Sequence, residues 1–506
     1  VAHSSDEIGR DERRVAGVLL HPTSLPGRYG IGDLGDELFA FLDWAASAGL
    51  RLWQVLPLNP PGYGNSPYGC VSSFAGNPML VSPQRLLQDG LLSPEALGQP
   101  PEFTIDRVDF DRVVTWKTQV LRESWRRFDA ASEELRSAFD EFVEGDEQEH
   151  WLDDFALFMA LKERNGGAPW WSWDRKLSQR NAKAIERARA SLADSVLFHK
   201  YVQFLFCRQW QTVREAAAAR GIRIVGDVPI YVAHDSADVW ANRRLFQLDE
   251  RGEPTVVAGV PPDYFSATGQ RWGNPLYRWD VMASTHYRWW IDRVKTSLRF
   301  ADIVRLDHFR GFAAYWEVPA SEPTAMHGKW MPGPGLELFD AIRDALGGTL
   351  PLIAEDLGFI TPEVHALRQA IGVPGMKILQ FGFGQPDSPH LPHRFEAETV
   401  VYTGTHDNDT ALGWFESAPH EERELARMYL GDDCRDIAWA LVRAAFTSVA
   451  QMAIVPAQDI LSLGSEGRMN LPGAEHGNWS WRLAPGALTH EHADRLRRLA
   501  EITGRV

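Results

Sequence analysis

One unit recurs along this chain and restricts what it can fold into: an apolar run that breaks into polar, glycine or proline residues, followed by a stretch with helical apolar spacing. Residues 15–24 begin the pattern. Val15, Val18, Leu19 and Leu20 give way to His21, Pro22, Thr23 and Ser24, which reads as a buried strand emerging into a loop. Residues 36–47 then place Leu38, Phe39, Phe41, Leu42 and Ala45 on one helical face, with Gly49 at the end as a cap. A second strand at 50–58 runs into Pro60, Pro61 and Gly62. Strand, helix and strand with short joins favour parallel pairing. The unit returns as helix 213–220 with strand 222–228, helix 287–298 with strand 302–306, helix 336–346 with strand 350–354, helix 362–371 with strand 376–381, strand 399–403, and helix 437–449 with strand 452–455. Eight such strands predict a closed α/β architecture, the (β/α)8 TIM barrel. The alternative is an open doubly wound sheet, against which no glycine-rich dinucleotide fingerprint follows the first strand.

At 506 residues the chain could hold several domains, but barrels of this kind absorb long insertions, and the pattern predicts one unit over 1–506. Two spans interrupt the alternation. Residues 60–195 lie between strands two and three, carry helical stretches at 114–128, 133–143 and 151–162, and predict a mostly helical subdomain. A domain that folds alone within 60–195 is the alternative. Residues 233–285 lie between strands three and four and read as loop-rich. Both leave from carboxyl ends of strands, the face on which barrel enzymes keep their active sites.

Bulk properties exclude some functions. A net charge of −16 argues against a nucleic-acid partner, which needs a basic footprint. Cys70, Cys207 and Cys434 are too few and too scattered for a disulfide framework or a zinc motif, which points to a reducing, cytoplasmic setting. Residues 1–14 are polar and charged, without the apolar core of a signal peptide. The longest apolar stretch, 437–456, is broken by Arg443 and Gln451, so no membrane span is expected. Most of the 20 tryptophans read as core or helix-packing residues, and such a surplus of flat rings also suits a sugar-binding cleft.

In a barrel the carboxyl ends of the strands meet on one rim. Here they deliver Asp227 from strand three, Arg305 and Asp307 from strand four, Glu355 from strand five, and His406 with Asp407 from strand seven. Arg305 and Asp307 are two apart and share a strand face. A fixed cation beside a carboxylate keeps it ionised, as a nucleophile requires. Taken alone, each group also fits a structural role: an ion pair tying off a strand, a helix cap, a loop pair. Together they make an electrostatically costly rim that suits acid–base chemistry on a glycoside. Asp307 could attack an anomeric carbon, Glu355 could protonate the leaving oxygen, and Asp407 could hold sugar hydroxyls and offset developing positive charge. A divalent metal site is the competing chemistry, but His406 has no second histidine at ligand spacing.

Several motifs extend this reading across nearly the whole chain: His-Pro-Thr-Ser-Leu-Pro at 21–26, Ser-Pro-Tyr at 66–68, Phe-Ala-Gly-Asn-Pro at 74–78, Gly-Asp-Val-Pro-Ile at 226–230, Gly-Val-Pro-Pro-Asp-Tyr-Phe at 259–265, Gly-Gln-Arg-Trp-Gly-Asn-Pro at 269–275, Ala-Glu-Asp-Leu-Gly at 354–358, Gly-Thr-His-Asp-Asn at 404–408 and Arg-Met-Asn-Leu-Pro-Gly at 468–473. With the stretch 301–312, these resemble the amylomaltase, or 4-α-glucanotransferase, family of the α-amylase-related barrels. The resemblance implies Asp307 as nucleophile, Glu355 as acid/base and Asp407 as transition-state stabiliser. It implies Tyr68 as the ring stacking on the donor glucose, and Asp227, Arg305, His308 and His406 as donor-side ligands. A loop at 261–275 would cover the cleft, with Gln270 and Trp272 touching glucan, and Asn470 and Pro472 would be further contacts. It also implies no metal, no organic cofactor and no C-terminal β-domain. The implied partners are α-1,4-glucans, such as maltooligosaccharides, starch or glycogen, as donor and acceptor, with glucose as a further acceptor. Residues 381–390 depart from the family pattern, and the helical insertion matches it loosely outside 154–158.

The expectation is a retaining transfer of α-1,4-glucan segments. The alternatives are a retaining hydrolase with the same catalytic trio and a glucan-binding protein without turnover.

Overall fold

The computed structural model describes residues 14–262, 266–431, 436–474 and 476–506. Cys434 and the Asp263–Phe265 part of the expected cleft loop lie outside the described residues, as do residues 1–13, which include most of the N-terminal stretch read above.

Among the described residues, twelve strands form two sheets. In chain order they are β1 (Val15–Leu19), β2 (Leu52–Gln54), β3 (Arg223–Pro229), β4 (Val256–Val260), β5 (Gln270–Pro275), β6 (Ile303–Asp307), β7 (Ala314–Pro319), β8 (Lys329–Pro332), β9 (Leu352–Ala354), β10 (Gly375–Ile378), β11 (Thr399–Tyr402) and β12 (Met452–Pro456). The larger sheet runs β10-β11-β12-β1-β2-β3-β6-β9, with every pairing parallel. Its outer strands, β9 and β10, are drawn together by the Ala354 amide donating to the Pro374 carbonyl at 2.9 Å. The eight expected strands therefore form a nearly closed (β/α)8 barrel. They are buried runs of branched and small residues, as parallel sheets covered by helices require.

Two helices coincide with the expected ranges, Asp36–Ser47 and Pro362–Ile371. The second ends at Gly372, whose left-handed backbone (φ 70°) is the glycine cap the sequence suggests. The helix expected at 213–220 is instead the end of a 27-residue helix, Ala193–Ala219. That helix buries residues around most of its circumference, because one end packs on the helices of the insertion and the other on the barrel, so its apolar period is blurred. Strand six is shorter than expected: the chain leaves β10 for a 3₁₀ turn at Leu379–Gly382.

The 60–195 span carries helices Phe110–Arg126, Glu133–Glu144 and Leu152–Arg164 among shorter ones. The 233–285 span, read as loop-rich, holds β4 and β5. These strands form an antiparallel sheet with β7 and β8, which follow the fourth barrel strand, in the order β5-β4-β7-β8. These short strands are interrupted by glycine and proline, and the pairing that unites them, β4 with β7, joins segments far apart along the chain, so local pattern does not expose the sheet.

Candidate active site

Register sets the floor of the site. Along β3 and β6, Asp227 pairs with Arg305 and Pro229 with Asp307; along β6 and β9, Leu306 pairs with Ala354. Asp307 and Glu355 thus follow neighbouring positions on strands about 4.8 Å apart. Arg305 is 3% exposed. Its Nη1 donates to both Asp227 oxygens (2.8 and 2.7 Å), and its Nη2 donates to Asp307 Oδ1 at 2.8 Å. Nε points at the Met376 sulfur, 3.3 Å away. One planar fork therefore serves two carboxylates from two strands, a geometry an ammonium could not reproduce. Asp307 Oδ2 receives no hydrogen bond from the described residues, which leaves it open to a ligand.

Glu355 is clamped by backbone. Its Oε2 accepts from the His308 amide at 2.6 Å and its Oε1 from the Leu357 amide at 3.0 Å. His308 sits in the left-handed region (φ 55°, ψ 47°), uncommon for a non-glycine residue. That turn aims its amide at Glu355. Burial, then the Asp307 charge, push the Glu355 carboxyl up to about 8, against Arg305 and the two amides. It is therefore protonated at neutral pH, while Asp307 is held beside a cation.

Asp407 is held from the other side. Asn470 Nδ2 donates to its Oδ1 at 2.6 Å, and His406 Nε2 lies 3.3 Å from the same oxygen. Burial would raise the Asp407 pKa, but His406, Asn470 and Arg305 outweigh it and hold the carboxyl far below the usual range. Burial likewise works against charge on His406, yet Asp407 beside it lifts the imidazole above its ordinary value. Tyr68 stacks on His406 with ring centroids 4.9 Å apart, and its hydroxyl donates to Asp227 Oδ2 at 2.8 Å. His308 is kept neutral: burial and the nearby Arg310 lower it to about 3. Its ring meets the edge of Trp272, 4.7 Å between centroids, and Trp272 Nε1 donates to Gln270 Oε1 at 3.1 Å.

A cavity of about 1370 Å³ opens over this floor. Tyr68, Gln270, Trp272, Asp307, His308, His406, Asp407, Asn470 and Pro472 line it; Asp227, Arg305 and Glu355 do not. The cavity also runs against Thr118 and Met159 of the helical insertion and Phe198 of the long helix Ala193–Ala219. Three residues of the site were not assigned from sequence. Trp479 packs against both Tyr68 and His406 at 5.8 Å, and it stands in no motif that would single it out. Arg468 ties Asp407 to Asn470 through their carbonyls, at 2.7 and 2.8 Å. It opens the quoted Arg-Met-Asn motif, so the signal was present. Met376 lies in a strand interior, where nothing in the sequence distinguishes it from core.

The barrel and these side chains define an enzyme of the glycosyl-transferring class. A family model described as 4-alpha-glucanotransferase matches residues 20–489. The 4-alpha-glucanotransferase of Thermus thermophilus is 52% identical over 504 residues, covering 97% of this chain and 99% of the relative. That of Synechocystis sp. is 51% identical over 499 residues, covering 98% of each. Among solved structures, the amylomaltase from Streptococcus agalactiae in complex with acarbose matches with a TM-score of 0.92 at 37% identity, over 97% of this chain and 100% of that one. The chain belongs to the 4-alpha-glucanotransferase family. No helix among the described residues is long and apolar enough to cross a membrane.

Proposed function

We propose that this enzyme transfers α-1,4-glucan segments to the 4-hydroxyl of another glucan or of glucose by a retaining double displacement. The observation that carries the reading is the pairing of an Arg305-bound Asp307 with a Glu355 clamped by two backbone amides at adjacent strand ends. In the first step Asp307 Oδ2 forms a bond to the anomeric carbon as the glycosidic C–O bond breaks. Glu355 gives its proton to the departing oxygen, and the reducing-side glucan leaves. Asp407, fixed by Asn470 and His406, accepts hydrogen bonds from sugar hydroxyls and offsets oxocarbenium charge. In the second step Glu355, now a carboxylate, takes the proton of the acceptor 4-hydroxyl, whose oxygen displaces Asp307. Tyr68, His308 and His406 meet the donor glucose from the cavity wall, with Asp227 and Arg305 holding the site from beneath; Gln270, Trp272, Asn470 and Pro472 line the glucan path. The substrates are maltooligosaccharides, starch or glycogen, in keeping with the acarbose-bound relative. No step needs a metal or an organic cofactor. Cys70 and Cys207 as free thiols suit a cytoplasmic location.

The deciding experiment is incubation with maltotriose and analysis of products. Longer oligomers together with glucose are expected. Maltose and glucose in equal amounts with nothing longer would make the enzyme a hydrolase, and glucan binding without turnover would make it a binding protein. An Asp307→Ala variant that keeps near-normal turnover would remove the nucleophile assignment.

A further inference from the structure

Arg310 is buried, at 5% exposure, yet among the described residues no carboxylate lies within ion-pair distance of it and its Nε has no hydrogen-bond partner. A buried cation without a counter-ion is costly unless other groups hold it. Its guanidinium lies 4.0 Å from the Trp330 ring centroid and 5.6 Å from that of Phe359, and Nη1 donates to the Phe359 carbonyl. Those two rings are unusually open: Phe359 is 70% exposed and Trp330 is 38% exposed. Neither is loose. Trp330 is buttressed edge-on by Trp316 at 5.2 Å, and Trp316 is anchored by its Nε1 on the Ala325 carbonyl at 2.9 Å. Phe359 follows Gly358, whose φ of 83° turns the chain outward.

Position gives these rings a meaning. Arg310 lies three residues beyond Asp307 and Phe359 four beyond Glu355. The two segments are joined by the Phe309 amide on the Glu355 carbonyl (3.1 Å) and the His308 amide on its side chain (2.6 Å). Four residues span at most about 14 Å, a reach of a few glucosyl units from the carboxyl that deprotonates the acceptor. An exposed ring offers a flat apolar face to the C–H face of a pyranose, and the guanidinium fixes both rings without needing to be reached by sugar.

We propose that Phe359 and Trp330 form an outer acceptor subsite that stacks glucosyl units of the incoming glucan, with Arg310 as the positioning residue that holds the two rings. The proposal deepens the glucanotransferase reading and rests on it. The occupant is an α-1,4-glucan, because the two rings stand outside the cavity on segments tied to the Glu355 strand end by the Phe309 and His308 amides and by Arg310. A glucose acceptor is too short to reach it, whereas maltotriose extends toward it.

The test uses maltopentaose as donor and radiolabelled glucose, maltose or maltotriose as acceptor. For Phe359→Ala and Trp330→Ala, the acceptor KM for maltotriose should rise roughly three- to tenfold more than that for glucose. Phe359→Tyr, which keeps the ring, should retain the wild-type ratio. Phe359 is exposed enough that its truncation leaves the fold intact, which circular dichroism checks. An unchanged maltotriose-to-glucose ratio in both alanine variants would overturn the proposal, as would an equal loss with all three acceptors. In both cases the wild type still makes transfer products. A wild type that extends no acceptor at all would remove the glucanotransferase reading itself, and the subsite with it.

Discussion

Replacing Glu355 by glutamine should stabilise the protein in alkali and destabilise it in acid. In the native state this carboxyl is lifted from 4.5 to about 8, by burial first and by the Asp307 charge second. Below pH 4.5 the group is protonated whether the chain is folded or not, and its folded environment costs nothing. As pH rises, the unfolded chain releases the proton while the folded chain keeps it, so stability present below 4.5 is lost progressively and is gone above about 8. At 1.36 kcal/mol per pH unit the loss is on the order of 5 kcal/mol. Glutamine cannot ionise and escapes it. It brings its own cost, because Glu355 accepts from the amides of both His308 and Leu357, and glutamine has one acceptor oxygen. That cost is about 1 kcal/mol at any pH. The variant should therefore be less stable than wild type by about 1 kcal/mol at pH 4 and more stable by roughly 4 kcal/mol at pH 9. With an unfolding entropy of about 2.1 cal/mol/K per residue, a chain of this length shifts by about 1 °C per kcal/mol, so the difference in Tm should swing by about 5 °C and change sign between these pH values. Paired scanning calorimetry at one scan rate from pH 4 to 9 measures it, and taking the difference cancels the titrating groups that do not interact with Glu355. A difference that is flat across that range, or a variant less stable at pH 9, would refute the claim that the fold holds this carboxyl protonated. The swing should shrink in an Asp307→Asn background, since the second cause has then been removed.

The same proton governs turnover. kcat/KM should fall on an alkaline limb centred near 8, about tenfold per pH unit beyond it, because Glu355 must be protonated to assist the leaving oxygen; a profile still level at pH 9.5 would contradict this. Arg305→Lys keeps a charge but cannot donate to Asp227 and Asp307 at once, and steady-state assays should show kcat lower by on the order of 100-fold. Asn470→Ala removes a hydrogen bond to a charged oxygen of Asp407, so kcat should drop roughly ten- to 100-fold with a smaller change in KM.

What could be read from the chain follows from how local each feature is. The barrel strands announce themselves as apolar runs, though β2 spans only Leu52–Gln54 of the expected 50–58, and the helices Asp36–Ser47 and Pro362–Ile371 carry their own boundaries, so no distant residue is needed to see them. The antiparallel sheet is hidden because the pairing that unites its two halves, β4 with β7, spans a barrel strand in the sequence. The long helix Ala193–Ala219 was cut short because two different partners bury its two ends. The candidate site divides in the same way. Asp307, Glu355 and Asp407 stand at strand ends, where the topology alone gathers them. Arg305 was legible by half: the two-residue spacing on one strand pairs it with Asp307, but its bidentate hold on Asp227 depends on the register between β3 and β6. That second half changes its role. With Nη1 committed to Asp227, only Nη2 is left for Asp307, so the guanidinium takes one oxygen of the nucleophile and leaves the other bare. A one-residue slip of β3 against β6 would remove Asp227 from the fork and free Arg305 to grip both Asp307 oxygens. The reactivity assigned to Asp307 therefore depends on a strand register set by the buried apolar residues on either side of it.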